Sequence, residues 1–289
     1  GRQLTSIPDC VFMMKSLTYL DLGGNDFWIF IDPIEELSSL TYLDLRGNRL
    51  ESFPESVCYL PSLSTLVLSS NELTSLPESI GQLTTLRKLI LVDIELIMLP
   101  ESNRLLIALI KLILVGNWLK SLPESYGNLS SLTSLNLENN KLKSLSKSIC
   151  QLPSLTYLNL KNTHLTSLPE SVGLLIALKE LGLSDNKFES FLESVCQLIC
   201  LTSLNLSGNG LESLPVSIGQ LSSLTSLNLR SNSVRSFPES ISLLFSFIYL
   251  ALKYNLIKSL KSVELMALRR LEGQGCEING YDEDELEDE

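Results

Sequence analysis

The stretch PSLSTLVLSSNELTSLPESIGQL, Pro61–Leu83, decides the fold. Leu66 and Leu68 flank a residue that points the other way, the period-two alternation of a short strand with one buried face. Asn71 follows, then Leu73 and Leu76, then Pro77-Glu78-Ser79 and a second apolar group ending at Leu83. Ser75 and Glu78 are spaced as a capping box, with Pro77 in the first turn, where its missing N–H does no harm. The stretch therefore reads as strand, turn, short helical segment and return.

Stepping by 23 residues from Asn25 reaches Asn48, Asn71, Ile94, Asn117, Asn140, Thr163, Asn186, Asn209, Asn232 and Asn255, with no insertion or deletion. Five and three positions before each of these landmarks stands Leu, from Leu20 and Leu22 to Leu250 and Leu252. The Ser/Glu spacing recurs at Ser52/Glu55, Ser121/Glu124, Ser167/Glu170 and Ser236/Glu239. One unit cannot bury its own leucines. Stacking places the strands roughly 4.8 Å apart in one parallel sheet, and each buried Leu then contributes on the order of 1.5–3 kcal/mol. Helical segments are wider than strands, so the stack is expected to curve with the strands inside.

The pattern L-x-x-L-x-L-x-x-N-x-L-x-x-L-P resembles the leucine-rich-repeat family over nearly the whole chain. The 23-residue length and the Leu-Pro-Glu-Ser segment look most like its intracellular subclass: Ras-suppressor-like scaffolds, plant intracellular proteins and bacterial effectors. The resemblance implies an α/β solenoid, a curved horseshoe with a parallel sheet on the concave face and short helical or 3-10 segments on the convex one. It also implies an asparagine ladder through the landmark column and a protein partner on the concave sheet. Ile94 and Thr163 depart from the Asn pattern and put the ladder in doubt at those two turns. Residues 1–267 read as the solenoid, a partial unit plus eleven repeats. Residues 268–281 read as a degenerate terminal repeat, in which Leu268, Leu271, Gly273, Cys276 and Ile278 fit a last strand in a shortened unit. Residues 282–289 are an acidic tail. Gly1 falls partway through a unit and allows for an upstream segment, and no secretory signal is visible.

Of the formal charge of −11, the tail supplies seven acids, which leaves a mildly acidic body. That balance has no basic excess to condense on nucleic acid. The longest apolar run, 105–115, is interrupted by Lys111 and is too short for a membrane span. A lone His164 excludes two-His zinc motifs, and neither Ser nor Cys sits in a nucleophile signature. No enzyme, cofactor or metal is expected. Cys58, Cys150 and Cys196 share a repeat column with Gly81, Gly127, Gly173 and Gly219, so they read as small space-fillers. The closest pair in that column lies two units apart, roughly 10 Å at strand spacing, beyond disulfide reach. Free thiols point to a reducing, cytoplasmic compartment, the host cytosol for a delivered effector. The sequons at Asn128 and Asn205 arise from repeat wording.

Partner contacts should use strand residues that face away from the core. Four before the landmark, the polar norm (Asp21, Asp44, Asn136, Asn159, Asn205, Asn228) gives way to Val67, Ile90 and Ile113. Val92 and Val115 extend this apolar run, Trp118 stands one past its landmark, and Lys88 and Lys111 flank it on the same strands. Apolar patches rimmed by charge mark interaction sites, and Trp is a common anchor. Tyr19, Asp21, Tyr42, Asp44 and Arg46 form a second, polar candidate. The expected protein is a monomeric, non-catalytic binding module, with an effector role in a host cell as first reading. A Ras-suppressor-like scaffold and the substrate-recognition part of a longer ligase-type effector remain the alternatives.

Overall fold

The computed structural model describes residues 4–29, 33–257 and 260–280. It divides into two compact units, Gly1–Leu142 and Lys143–Glu289. The acidic tail lies outside the described residues.

The first unit holds β1 (Tyr19–Asp21), β2 (Tyr42–Asp44), β3 (Thr65–Val67), β4 (Lys88–Ile90), β5 (Lys111–Ile113) and β6 (Ser134–Asn136). They pair in chain order, all parallel, and the register advances by 23 at each step: Leu20 faces Leu43, then Leu66, Leu89, Leu112 and Leu135. The second unit repeats the arrangement with β7 (Tyr157–Asn159), β8 (Glu180–Gly182), β9 (Ser203–Asn205), β10 (Ser226–Asn228), β11 (Tyr249–Ala251) and β12 (Glu277–Asn279). The central leucines from Leu43 to Leu135 are fully buried, as are Leu158, Leu227 and Leu250. The expected α/β coil of parallel strands and 3-10 segments is what each unit contains.

The landmark amides form the ladder. Asn117 donates to the carbonyls of Leu91 and Leu114 and accepts the N–H of Leu96 at 3.0 Å, so one side chain ties two coils. Asn48, Asn71 and Asn140 in the first unit, and Asn186, Asn209, Asn232 and Asn255 in the second, do the same. At the two exceptions the expected doubt is resolved differently. The Thr163 hydroxyl donates to Leu160 O at 2.8 Å and its N–H to Asn186 Oδ1 at 3.1 Å, which recovers part of the pattern. Ile94 is fully buried and, having no polar atom, recovers none of it.

The residue before every landmark has a left-handed backbone, whether Gly47, Ser70, Asp93 or Asn139. Among the described residues only Glu95 and His164, each one past a missing Asn, add a second left-handed residue to their turn. At the nine Asn turns the N–H one past the landmark donates back to the preceding coil, as Trp118 does to Leu96 O at 2.9 Å. Among the described residues Glu95 makes no such bond. Losing the amide thus reroutes the turn, at a local cost of roughly 1–2 kcal/mol for a non-glycine residue in this region.

Two expectations are corrected. The Ser/Glu pairs are not capping boxes. The 3-10 segments Glu55–Tyr59, Glu78–Gln82, Glu124–Asn128, Glu170–Leu174 and Glu239–Leu243 begin at the glutamate, behind an extended proline, with no side-chain cap. The carboxylate instead serves the next coil: Glu55 accepts from Ser79 Oγ at 2.5 Å and Glu78 from Ser102 N at 3.0 Å. The last coil is longer rather than shorter. Ile278 faces Leu250, 28 positions earlier, because the return segment is a twelve-residue α-helix, α1 (Ser262–Gly273). Leu268 and Leu271, expected on a strand, are buried on that helix; Glu264 caps it by accepting the Lys261 N–H at 2.8 Å.

Candidate protein-binding face

On β1 to β11 the central leucine turns inward and its two neighbours lie on the open face of the sheet. Val67, Ile90 and Ile113 are consecutive Cα partners across β3, β4 and β5, and Lys88 and Lys111 are partners beside them. The sheet therefore brings five predicted residues into two adjoining rows. Ile90 and Ile113 are half-buried, as are Val92 and Val115, while Lys111 is exposed. Val67 is only 5% exposed and supports the row rather than offering area. Trp118 stands apart, beyond the Asn117 turn and 44% exposed, with the Lys141 ammonium 4.8 Å from its ring centroid. Lys141 stands at the position of Trp118 one coil later, and that equivalence in the sequence is the signal that would have paired them.

What the open-face column normally does explains why its interruption matters. Asn136 Oδ1 accepts the Glu138 N–H at 3.0 Å, closing the turn after the strand. Asp44 does this for Arg46 at 2.9 Å, and Asp21 for Gly23 at 2.8 Å. Val67, Ile90 and Ile113 cannot. Of the N–H groups they would have served, that of Val92 is taken by Ser69 Oγ of the previous coil at 3.1 Å. Three neighbouring coils thus replace a local hydrogen bond, worth about 1 kcal/mol, with apolar surface.

The second candidate is a closed arrangement. Tyr19 and Tyr42 stack with ring centroids 4.4 Å apart. Asp44 is fully buried, bonded by Arg46 Nη2 at 2.6 Å and by the Tyr42 hydroxyl at 3.2 Å. Burial, aided by the Asp44 charge, pushes the Tyr42 hydroxyl up to about 12. Asp44 is therefore a brace under Tyr42 and Arg46 rather than a contact residue, whereas Tyr19, Asp21 and Arg46 are exposed.

Other chemistry is sparse. All six cysteines are free; Cys58, Cys150, Cys196 and Cys276 are buried, and burial pushes the thiols of Cys58, Cys196 and Cys276 up to about 11. Among the described residues no group of three or more His, Cys, Asp or Glu is placed to hold a metal, and no helix is long and apolar enough to cross a membrane. Sequence reasoning also missed a polar pair inside the core. Asn103 donates to the hydroxyl of the fully buried Tyr126, both in a column otherwise held by Val and Ile.

Against known proteins, a family model described as leucine rich repeat matches residues 38–93, 107–165 and 153–211, together more than half of the chain. No curated protein matches. Among solved structures, a chain of the octameric complex of Latrophilin 3, Unc5D and FLRT2 is similar at 20% identity and TM-score 0.82, with 98% of this chain and 90% of that one covered. An internalin, inlF of Listeria monocytogenes, is similar at 22% identity and TM-score 0.65, covering 93% and 83%. The plant peptide hormone receptor RGFR1, in complex with RGF2, is similar at 26% identity and TM-score 0.69; 88% of this chain corresponds to 46% of that receptor. Stacked 23-residue coils, buried leucine columns, an asparagine ladder and this match lead to one conclusion: the chain belongs to the leucine-rich-repeat family, whose members are generally protein-interaction modules.

Proposed function

We propose that this protein is a non-catalytic binding module that grips a partner protein through the open face of β3–β5, with Ile90, Ile113, Val92 and Val115 as the apolar centre and Trp118 at its edge. The carrying observation is the loss of the turn-closing Asn or Asp at three successive coils, where Val67, Ile90 and Ile113 stand instead. Apolar residues replacing a hydrogen bond on a surface that the fold leaves open favour contact with another molecule. The RGFR1 structure, a relative in fold that holds a peptide ligand, supports the same use of the scaffold. The finer reading is an effector acting as a monomer in the cytosol of a host cell, which six free thiols suit.

The test is capture by the full chain against an Ile90→Asn, Trp118→Ala variant. Asparagine at 90 is the residue type that other coils carry in this column, so the fold is kept while the apolar centre is removed. The variant should lose its partners with Tm unchanged within a few degrees. Recovery of the same proteins by both would refute the assignment. Light scattering checks the monomer, and localisation of the tagged chain in infected cells checks the effector role.

A further inference from the structure

The apolar rows on β3–β5 have charged borders of opposite sign. At the start of the strands stand Lys88 and Lys111, Cα partners in the sheet. At the far end, in the turn after β4, stand Asp93 and Glu95, both exposed and both held in the left-handed backbone on either side of Ile94. The Asp93 carboxylate leans over the next coil, so close to Gly116 that any side chain there would meet it. The ion pairs among the described residues involve none of these four groups. The two borders, Lys88 and Asp93, lie five residues apart, at most about 16 Å at about 3.3 Å per extended residue. β4 and β5 are each paired on both sides, so they offer no free edge to an added strand.

Resting on the binding reading above, we infer that the occupant of this face is an amphipathic α-helix of the partner lying across β3–β5. Its apolar stripe packs on Ile90, Ile113 and Val115, acidic residues on one flank meet Lys88 and Lys111, and basic residues on the other meet Asp93 and Glu95. A helix with side chains is about 10–12 Å across, so its two flanks reach both borders, whereas an extended strand reaches one. The left-handed turn at Ile94 serves this arrangement by presenting Asp93 and Glu95 on both sides of a buried residue.

The experiment measures binding of the full chain to three helix-stabilised peptides of about 14 residues, roughly 20 Å long. They share one apolar stripe; one has acidic and basic flanks, one two acidic flanks and one two basic flanks. The split peptide should bind about tenfold tighter than either uniform one at low salt, with the gap closing as salt rises. In a Lys88→Glu, Lys111→Glu variant the doubly basic peptide should become the best ligand. Equal binding by all three peptides, or an unchanged order in the variant, overturns the inference. If none binds while partner capture still depends on Ile90 and Trp118, the helix is wrong and the binding face stands. If capture ignores those residues as well, both fall.

Discussion

Strands β4 and β5 in the first unit and β9 and β10 in the second share a backbone but not an open face. All four bury a central leucine, Leu89, Leu112, Leu204 and Leu227, at 1% exposure or less. On β9 and β10, Asn205 and Asn228 accept the N–H groups of Ser207 and Arg230 at 3.1 Å and close their turns. On β4 and β5, Ile90 and Ile113 close nothing and present hydrocarbon. The core column and the open-face column are thus separate variables. The first sets whether the coil forms, and the second changes its stability by about one hydrogen bond while changing what the surface can hold.

The largest effect tests whether the core column is indifferent to the face above it. Leu112→Asp and Leu227→Asp each bury an unpaired charge and should cost at least ~4 kcal/mol in chemical denaturation, alike in both regions. A clear inequality would show that the open face contributes to the core. Next, Asn117→Ala beside the apolar strands leaves the Leu96 N–H and the Leu91 carbonyl without partners, because Ile94 supplies no second donor. Asn232→Ala beside the polar ones leaves only the Leu211 N–H, since Asn209 and Asn255 still donate to the Leu206 and Leu229 carbonyls. The first should cost about 2–4 kcal/mol and the second about 1–3 kcal/mol. Exchanging the open-face column gives a smaller effect: Asn228→Ile should lose about 0.5–1.5 kcal/mol and Ile90→Asn should stay within ~1 kcal/mol of the parent. Greater destabilisation by Ile90→Asn would mean the apolar row is structural.

Smaller still, Glu95→Gly and His164→Gly relieve a left-handed non-glycine residue and should raise stability by up to ~1 kcal/mol, offset in part by the entropy of glycine. The smallest effect concerns the bonds between glutamate and serine of successive 3-10 segments. The Ser102 side chain beside it and the Ser102 N–H, which donates at 3.0 Å, hold the Glu78 carboxyl below its ordinary value of 4.5. Because the folded state favours the charged form, this contribution is present above that value and is lost as pH falls through the lowered one. Glu78→Gln should therefore flatten the acid limb of the stability profile, a slight change at this exposed position, read by thermal melts below pH 5.

Periodic contacts were legible and aperiodic ones were not. The leucine columns, the Asn ladder and the row Val67-Ile90-Ile113 all recur at 23 residues, so stacking the sequence on itself displays them. The Ser75/Glu78 spacing misled because it imitates a local cap, while Pro77 keeps the backbone extended and the glutamate bonds a serine 24 positions on. Asp44, expected among the second group of partner contacts, is buried because Tyr42 and Arg46 close over it, which its column position does not reveal.

Sequence alone determined that these coils stack in parallel with a leucine core and one open face, since a strict 23-residue phase in two apolar columns leaves no other way to bury them. Tertiary structure alone decided how the exceptions settle: the extra left-handed residue at Glu95, the cation over Trp118, the brace at Asp44 and the α-helix in the last coil. Each of these depends on distances between side chains of neighbouring coils, and a column of letters carries register but not distance.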